Sequence, residues 1–157
     1  FEINCIAADP FLDDAEARAA GAELVELDEL LRRADYVCIC CALSEETHHL
    51  IGERELSLMK ETAYLINTTR GPIIDQQALT RALEQGQIAG AGIDVTEVEP
   101  LAPESPLWDA PNIILTPHRA GASQHRPRKV FEFFLAQLER YLKGEPVLNI
   151  VDKRKGY

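Results

Sequence analysis

Short apolar runs alternate along the chain with segments whose apolar residues fall at helical spacing. Residues 2–8 (EINCIAA) have the composition of a strand, which Asp9 ends and Pro10 stops, and AELVEL makes a second. YVCICCA (36–42) is continuously apolar, which predicts a strand at the centre of a sheet. AYLIN, AGAGIDV and NIILT read as further strands, and the glycines of AGAGIDV suit a close approach by a ligand or a neighbouring backbone. Between these runs, LDDAEARAAG carries acids at its start, alanines in its body and Gly21 at its end, the marks of a short helix. Asp28 is placed to cap ELLRRA, and residues 53–59 make another short helix. Asp75 opens QQALTRALEQG and Gly86 closes it, with Ala78, Leu79, Ala82 and Leu83 on a core face. After Pro127, the positions Val130, Phe133, Phe134, Leu135, Leu138, Tyr141 and Leu142 keep helical spacing as far as Gly144. TEVEPLAPESPLWDAPN shows neither period and reads as a proline-stiffened loop with Trp108 as its anchor in the core. Strand following helix in this order predicts an α/β fold with a parallel sheet.

Composition sharpens that class. Of 157 residues, 46% are hydrophobic and 27% charged, which suits one domain with a proper core. The formal net charge of −10 disfavours nonspecific nucleic-acid binding, and the one basic cluster, DKRKGY, reads as a solvated tail or return linker. No apolar run has the length of a membrane span and no signal peptide opens the chain, so a soluble cytoplasmic protein is expected, with no membrane or nucleic-acid partner. Cys5, Cys38, Cys40 and Cys41 lie in the apolar runs without the CxxC pairs of a zinc or redox site, so buried reduced thiols and no metal are expected. His48 and His49 are adjacent and would point apart on a helix, which favours solvated side chains over a metal pair.

Three ionisable residues stand just after three of the apolar runs: Arg70 in NTTRG, Glu99 in DVTEVEP and His118 in LTPH. In a parallel sheet all three emerge at one edge, where open α/β sheets keep their ligand crevice. Singly, each has a plainer reading: a surface ion-pair partner, a turn cap, a solvated loop histidine. Jointly they supply a guanidinium for a planar carboxylate, an imidazole for proton transfer near neutral pH, and a carboxylate to hold the imidazole. That is an acid/base site for a small anionic substrate.

The segments carrying these residues, LINTTRGPIIDQQALTRALEQGQIAGAGIDVTEVEP and then SPLWDAPNIILTPHRAG, closely resemble the nucleotide-binding domain of the NAD-dependent D-isomer-specific 2-hydroxyacid dehydrogenases. The likeness is gapless there and extends loosely from Ile3 to Tyr157. It implies a Rossmann-like doubly wound parallel sheet with helices on both faces. It also implies an oxidoreductase transferring a hydride between NAD(H) and a small 2-oxo or D-2-hydroxy acid. Arg70 would orient the acid, His118 would be the general acid/base and Glu99 its partner; NAD would be met by Asp9, Cys40, Cys41, Thr47, Thr68, Thr69, Arg70, Asp94, His118 and Gly121. Asp9, ending the second strand of such a domain, would take the adenosine ribose hydroxyls and favour NAD over NADP. Asp94 would lie by the nicotinamide, and Thr47 would pack the turn after the third strand, where Ala42 replaces the family's usual proline. Related formate enzymes carry Gln where this chain has Glu99.

The same resemblance predicts an incomplete fold. No G-x-G-x-x-G turn occurs in the sequence, so the chain reads as a partial NAD-binding domain over 1–145 without its first strand, with 146–157 returning towards a substrate domain. The parent enzyme would be a homodimer. Two other readings stand beside it: an NAD-sensing, corepressor-like interaction protein, which the absence of any low-complexity tail disfavours, and an inactive piece of the enzyme.

Overall fold

Local punctuation sets the first elements. In the computed structural model, which describes residues 2–153, β1 (Cys5–Ala7) is followed by α1 (Asp14–Ala19), which Asp13 caps by accepting the Ala15 and Glu16 N–H groups at 2.8 and 2.9 Å. Glu16 Oε2 answers by accepting the Asp13 N–H, closing a capping box. Gly21, at φ 81°, turns the chain into β2 (Ala22–Leu24), which pairs parallel with β1. The helix α2 (Leu27–Arg33) starts from Glu26 without a side-chain cap. Asp28 therefore does not cap it. Lying inside the first turn, it takes a two-pronged bond from Arg54 at 2.9 and 3.1 Å and so ties α2 to α3 (Glu53–Leu58).

The remaining strands, β3 (Tyr36–Ile39), β4 (Tyr64–Asn67), β5 (Gly90–Ile93) and β6 (Ile113–Leu115), form a second parallel sheet in the order β3-β4-β5-β6. Its register aligns Tyr36 with Tyr64 and Tyr64 with Gly90. One face is packed: Val37, Ile39, Leu65, Ala91 and Ile93 are buried with Leu31, Leu56, Ile73, Leu79 and Ile88 in one core cluster. The helix α4 (Gln76–Glu84) is part of that layer, capped by Asp75 through the Ala78 N–H and ended by Gly86 at φ 65°; Ala78, Leu79, Ala82 and Leu83 are core as their spacing predicts. The other face is open among the described residues, with Tyr36 and Tyr64 stacked at 5.7 Å. Gly90 is required there, since a Cβ would lie 2.5 Å from the Asn112 carbonyl oxygen and 3.0 Å from the Tyr64 ring.

Several expectations are corrected. YVCICCA forms an edge strand of its sheet, not a central one, and its burial alternates: Tyr36 and Cys38 face out while Val37 and Ile39 face in. Tyrosine and cysteine made the run look uniformly apolar although one face is wet. For the same reason Cys5, Cys38 and Cys40 are exposed thiols and only Cys41 is half-buried. The strand expected over 2–8 is limited to Cys5–Ala7. Trp108 is 52% exposed; Leu107, beside it in a short 3-10 turn (Pro106–Asp109), is the buried anchor. The indole instead donates to the Ala102 carbonyl and braces the loop. His48 and His49 lie in a turn, not a helix. Finally α5 (Arg126–Leu142) has the predicted length and the Gly144 stop, yet buries no residue. No helix among the described residues is long and apolar enough to cross a membrane. Residues 154–157 of the basic tail lie outside the described residues.

Candidate active site

The two central strands of the larger sheet, β4 and β5, end in turns built by a buried polar residue. Asn67 closes β4 on the same face as Leu65, so its side chain is fully buried. Its Oδ1 accepts the Thr69 N–H and hydroxyl, both at 3.0 Å, and its Nδ2 donates to the Arg70 carbonyl at 2.9 Å. This Asx-type turn presents Thr68 and Arg70 to solvent with Thr69 half-buried between them. The Arg70 guanidinium donates to the Thr69 carbonyl at 2.7 Å and makes no ion pair among the described residues.

Asp94 does the same work after β5, and more of it. It is 5% exposed, and its carboxylate accepts the Thr116 hydroxyl and the backbone N–H groups of Arg119 and Ala120, both at 2.8 Å. Burial alone would raise the pKa of this carboxyl, but those three donors outweigh it and hold the group below the usual carboxylate range. Its backbone is equally engaged: the Asp94 N–H donates to the Asn67 carbonyl, and the Asp94 carbonyl accepts the His118 N–H. A hydrogen-bonded line thus runs from the Arg70 turn through Asp94 to His118. It pins His118 in the left-handed region at φ 51°, a conformation that costs free energy in a non-glycine residue.

Held this way, the His118 imidazole meets Glu99, Nδ1 to Oε2, at 2.8 Å. A carboxylate only accepts, so Nδ1 carries the proton in this bond and Nε2 is the nitrogen left for a ligand. The bond from His118 is the main reason the Glu99 carboxyl lies below its ordinary range; partial burial opposes it and the Thr96 N–H assists. That N–H reaches Glu99 Oε1 at 3.2 Å. The pair is half exposed, as a site open to a substrate must be.

Other expected contacts are distributed along the same strand ends. Asp9 follows β1 at the surface, its Oδ1 accepting the Phe11 N–H at 2.8 Å. Cys40 and Cys41 follow β3, Cys40 exposed and Cys41 half-buried, and burial pushes the Cys41 thiol up. Thr47 closes the turn after β3, its hydroxyl donating to the Ala42 carbonyl and accepting the Ser44 N–H, both at 2.7 Å. Gly121 lies in the exposed turn after His118. The structure therefore brings Asp94, Glu99 and His118 into one bonded unit and sets Arg70 on the same edge, its side chain making no hydrogen bond or ion pair to that unit among the described residues. Asn67 and Thr116 were not singled out from sequence, although a polar residue in phase with buried Leu65 is a signal that it must find partners inside.

Parallel strands followed by polar turns at one edge, with an exposed carboxylate just after β1, are the architecture of an open α/β domain whose ligand crevice lies at that edge. This is the class of an α/β dinucleotide-dependent dehydrogenase domain. Residues 1–120 match the family described as D-isomer specific 2-hydroxyacid dehydrogenase, NAD binding domain, and the chain belongs to that family. It is 44% identical over 133 residues to the glyoxylate reductase of Korarchaeum cryptofilum, covering 85% of this chain and 40% of that protein. Among solved structures, a D-isomer specific 2-hydroxyacid dehydrogenase from Xanthobacter autotrophicus in complex with NADPH and MES superposes at TM-score 0.84 and 35% identity, over 100% of this chain and 63% of that one. The NAD-complexed enzyme of Lactobacillus delbrueckii gives TM-score 0.83 and 31% identity over 95% of this chain and 48% of its own. The chain thus spans about two fifths of the curated relative's length.

Proposed function

We propose that the whole protein reversibly reduces a small 2-oxo acid of the glyoxylate class to its D-2-hydroxy acid with NADH. The observation that carries this reading is the 2.8 Å bond between His118 Nδ1 and Glu99 Oε2 at the C-terminal edge of a parallel sheet. NADH, when bound, supplies the hydride. His118 donates a proton from Nε2 to the substrate's carbonyl oxygen during reduction and takes it back during oxidation, while Glu99 fixes the ring and balances its charge. Arg70, which makes no ion pair among the described residues, turns from the Thr69 carbonyl to grip the substrate carboxylate with two parallel bonds. Asp94 holds the histidine loop in this scheme, and its carboxylate is already committed to three donors.

Asp9 supports a preference for NAD over NADP, because its exposed carboxylate suits a ribose diol and repels a 2′-phosphate. Residues 1–145 serve as the dinucleotide half, and residues 146–157 as the segment that returns towards a substrate domain. The decisive experiment is turnover of a 2-oxo-acid panel with NADH by the full-length protein and its His118→Ala variant. A loss on the order of 10² to 10⁴ in kcat is expected. Tight NADH binding with no turnover of any panel member would replace the enzyme by a nucleotide-sensing protein.

A further inference from the structure

The loop that carries Glu99 is fastened to the turn that carries Arg70 by residues outside the reacting set. Glu97, two residues before Glu99, extends its Oε1 to the N–H of Gln76 at 2.9 Å, the first residue of α4. Gln76 returns a bond, its Oε1 accepting the Glu97 N–H at 3.2 Å. The same Glu97 oxygen lies 3.0 Å from His49 Nε2, and the His49 backbone N–H donates to the Pro72 carbonyl at 2.8 Å. His49 is itself held at φ 51°. Beneath this cluster the two segments touch directly: a Cβ on Gly71 would stand 2.0 Å from the Thr96 carbonyl and 2.5 Å from the Glu97 nitrogen. One carboxylate therefore clamps three segments, the 47–50 turn, the start of α4 and the 96–99 loop, at the point where Arg70 and Glu99 diverge.

We propose that Glu97 is a positioning residue: clamped by His49 and Gln76, it sets the distance between the substrate-gripping Arg70 and the Glu99–His118 pair. The inference rests on the functional reading above. Alignment of reacting groups is steep, and a displacement of about 1 Å can cost on the order of 10²-fold in rate. The charge on Glu97 also favours the start of α4, but that contribution is local to the helix and would not be felt by the substrate.

The test is made on the full-length protein with Glu97→Ala, Glu97→Gln, Glu99→Gln and the Glu97→Ala/Glu99→Gln double variant, by steady-state kinetics and by hydrogen–deuterium exchange. Glu97→Ala should lower kcat/KM for the oxo acid by roughly ten- to hundredfold, with the fall shared between kcat and KM, while NADH affinity stays unchanged. Glu97→Gln keeps an acceptor oxygen and should restore most of that loss. The double variant should lose less than the product of the single losses, because both act through one pair. Amide exchange over 70–76 and 96–100 should rise in Glu97→Ala and return in Glu97→Gln. If the wild type turns over and Glu97→Ala keeps its kcat/KM, or the two losses simply multiply, Glu97 is structural only and the proposal falls. If the wild type reduces no 2-oxo acid, the functional reading fails by itself. Exchange then decides the clamp: unchanged rates in Glu97→Ala would overturn it.

Discussion

Replacing Asp94 by Asn changes almost no volume and reverses one bond. In the native chain two carboxylate oxygens receive three donors: the Thr116 hydroxyl and the Arg119 N–H on Oδ1, and the Ala120 N–H on Oδ2. An amide can keep its oxygen towards Thr116 and Arg119, but its NH2 then faces the Ala120 N–H, donor against donor. Charge-assisted bonds are about twice as strong as neutral ones, so each retained bond weakens by roughly 0.5–1.5 kcal/mol. The stranded Ala120 N–H adds about 1 kcal/mol, near the low end for an orphaned donor, because Ala120 is exposed and water can reach it. Relief of a buried charge offsets part of this, leaving a net loss of about 2–3 kcal/mol. That corresponds to a fall in Tm on the order of 5–10 °C.

The pH dependence separates this cause from a general packing defect. The native carboxyl is held below its unfolded value, so its stabilisation is fully present above that value and disappears as pH falls through the lowered one. Thermal melts of wild type and Asp94→Asn should therefore differ most near neutrality and converge below about pH 4. The variant should also lose activity, since the loop that fixes His118 is the part released. A separation between the melts that does not shrink at any pH below the unfolded carboxyl's value of about 3.9, or a variant that melts with the wild type, would show that Asp94 does not organise this loop.

Two other outcomes follow from the same geometry. Glu99→Gln keeps a hydrogen bond to Nδ1 and removes the carboxylate charge that faces the ring, so turnover in both directions should fall by about tenfold or more. Unchanged turnover in the variant would make Glu99 a loop residue. Asp9→Ala should narrow the preference for NAD over NADP, chiefly through KM for each cofactor; a wild type that already works better with NADP would overturn the role given to Asp9.

Much of this fold was legible because its boundaries are written locally. Asp13 and Asp75 cap helices, and Gly21, Gly86 and Gly144 end them, within a few residues of the apolar pattern they delimit. The candidate site was legible in part for a related reason: Arg70, Glu99 and His118 follow strands whose ends share one edge, where Glu99 and His118 meet and Arg70 bonds to neither among the described residues. What stayed hidden depends on neighbours that no local pattern specifies. A continuous apolar run such as YVCICCA does not say how many strands flank it, so its edge position and exposed thiols could not be read. In the loop before β6, neither helical nor strand period assigns a face, and Trp108 was taken for the anchor when adjacent Leu107 fills the core. Glu97, His49 and Gln76 bond across 21 and 48 positions, with no period linking them.

These cross-chain bonds explain how exposed loops can hold a demanding geometry. Loops at strand ends are free to move unless something beneath them is rigid. Here Asn67 and Asp94 are buried at neighbouring strand ends, and the backbone bond between them belongs to the continuing parallel register of β4 and β5. Beyond β6, where the Thr116 N–H still donates to the Ile93 carbonyl in register, the Asp94 carbonyl accepts the His118 N–H and draws the chain back to β5. The spacing between the Arg70 turn and the histidine is therefore inherited from the sheet, which deforms little, and the buried side chains only translate it to the surface. Glu99 is the exception: it sits beyond β5 on a loop with no strand beneath it. Its alignment needs a separate fastening, and the Glu97 bonds to Gln76 and His49 supply one beside the close approach of Gly71 to Thr96.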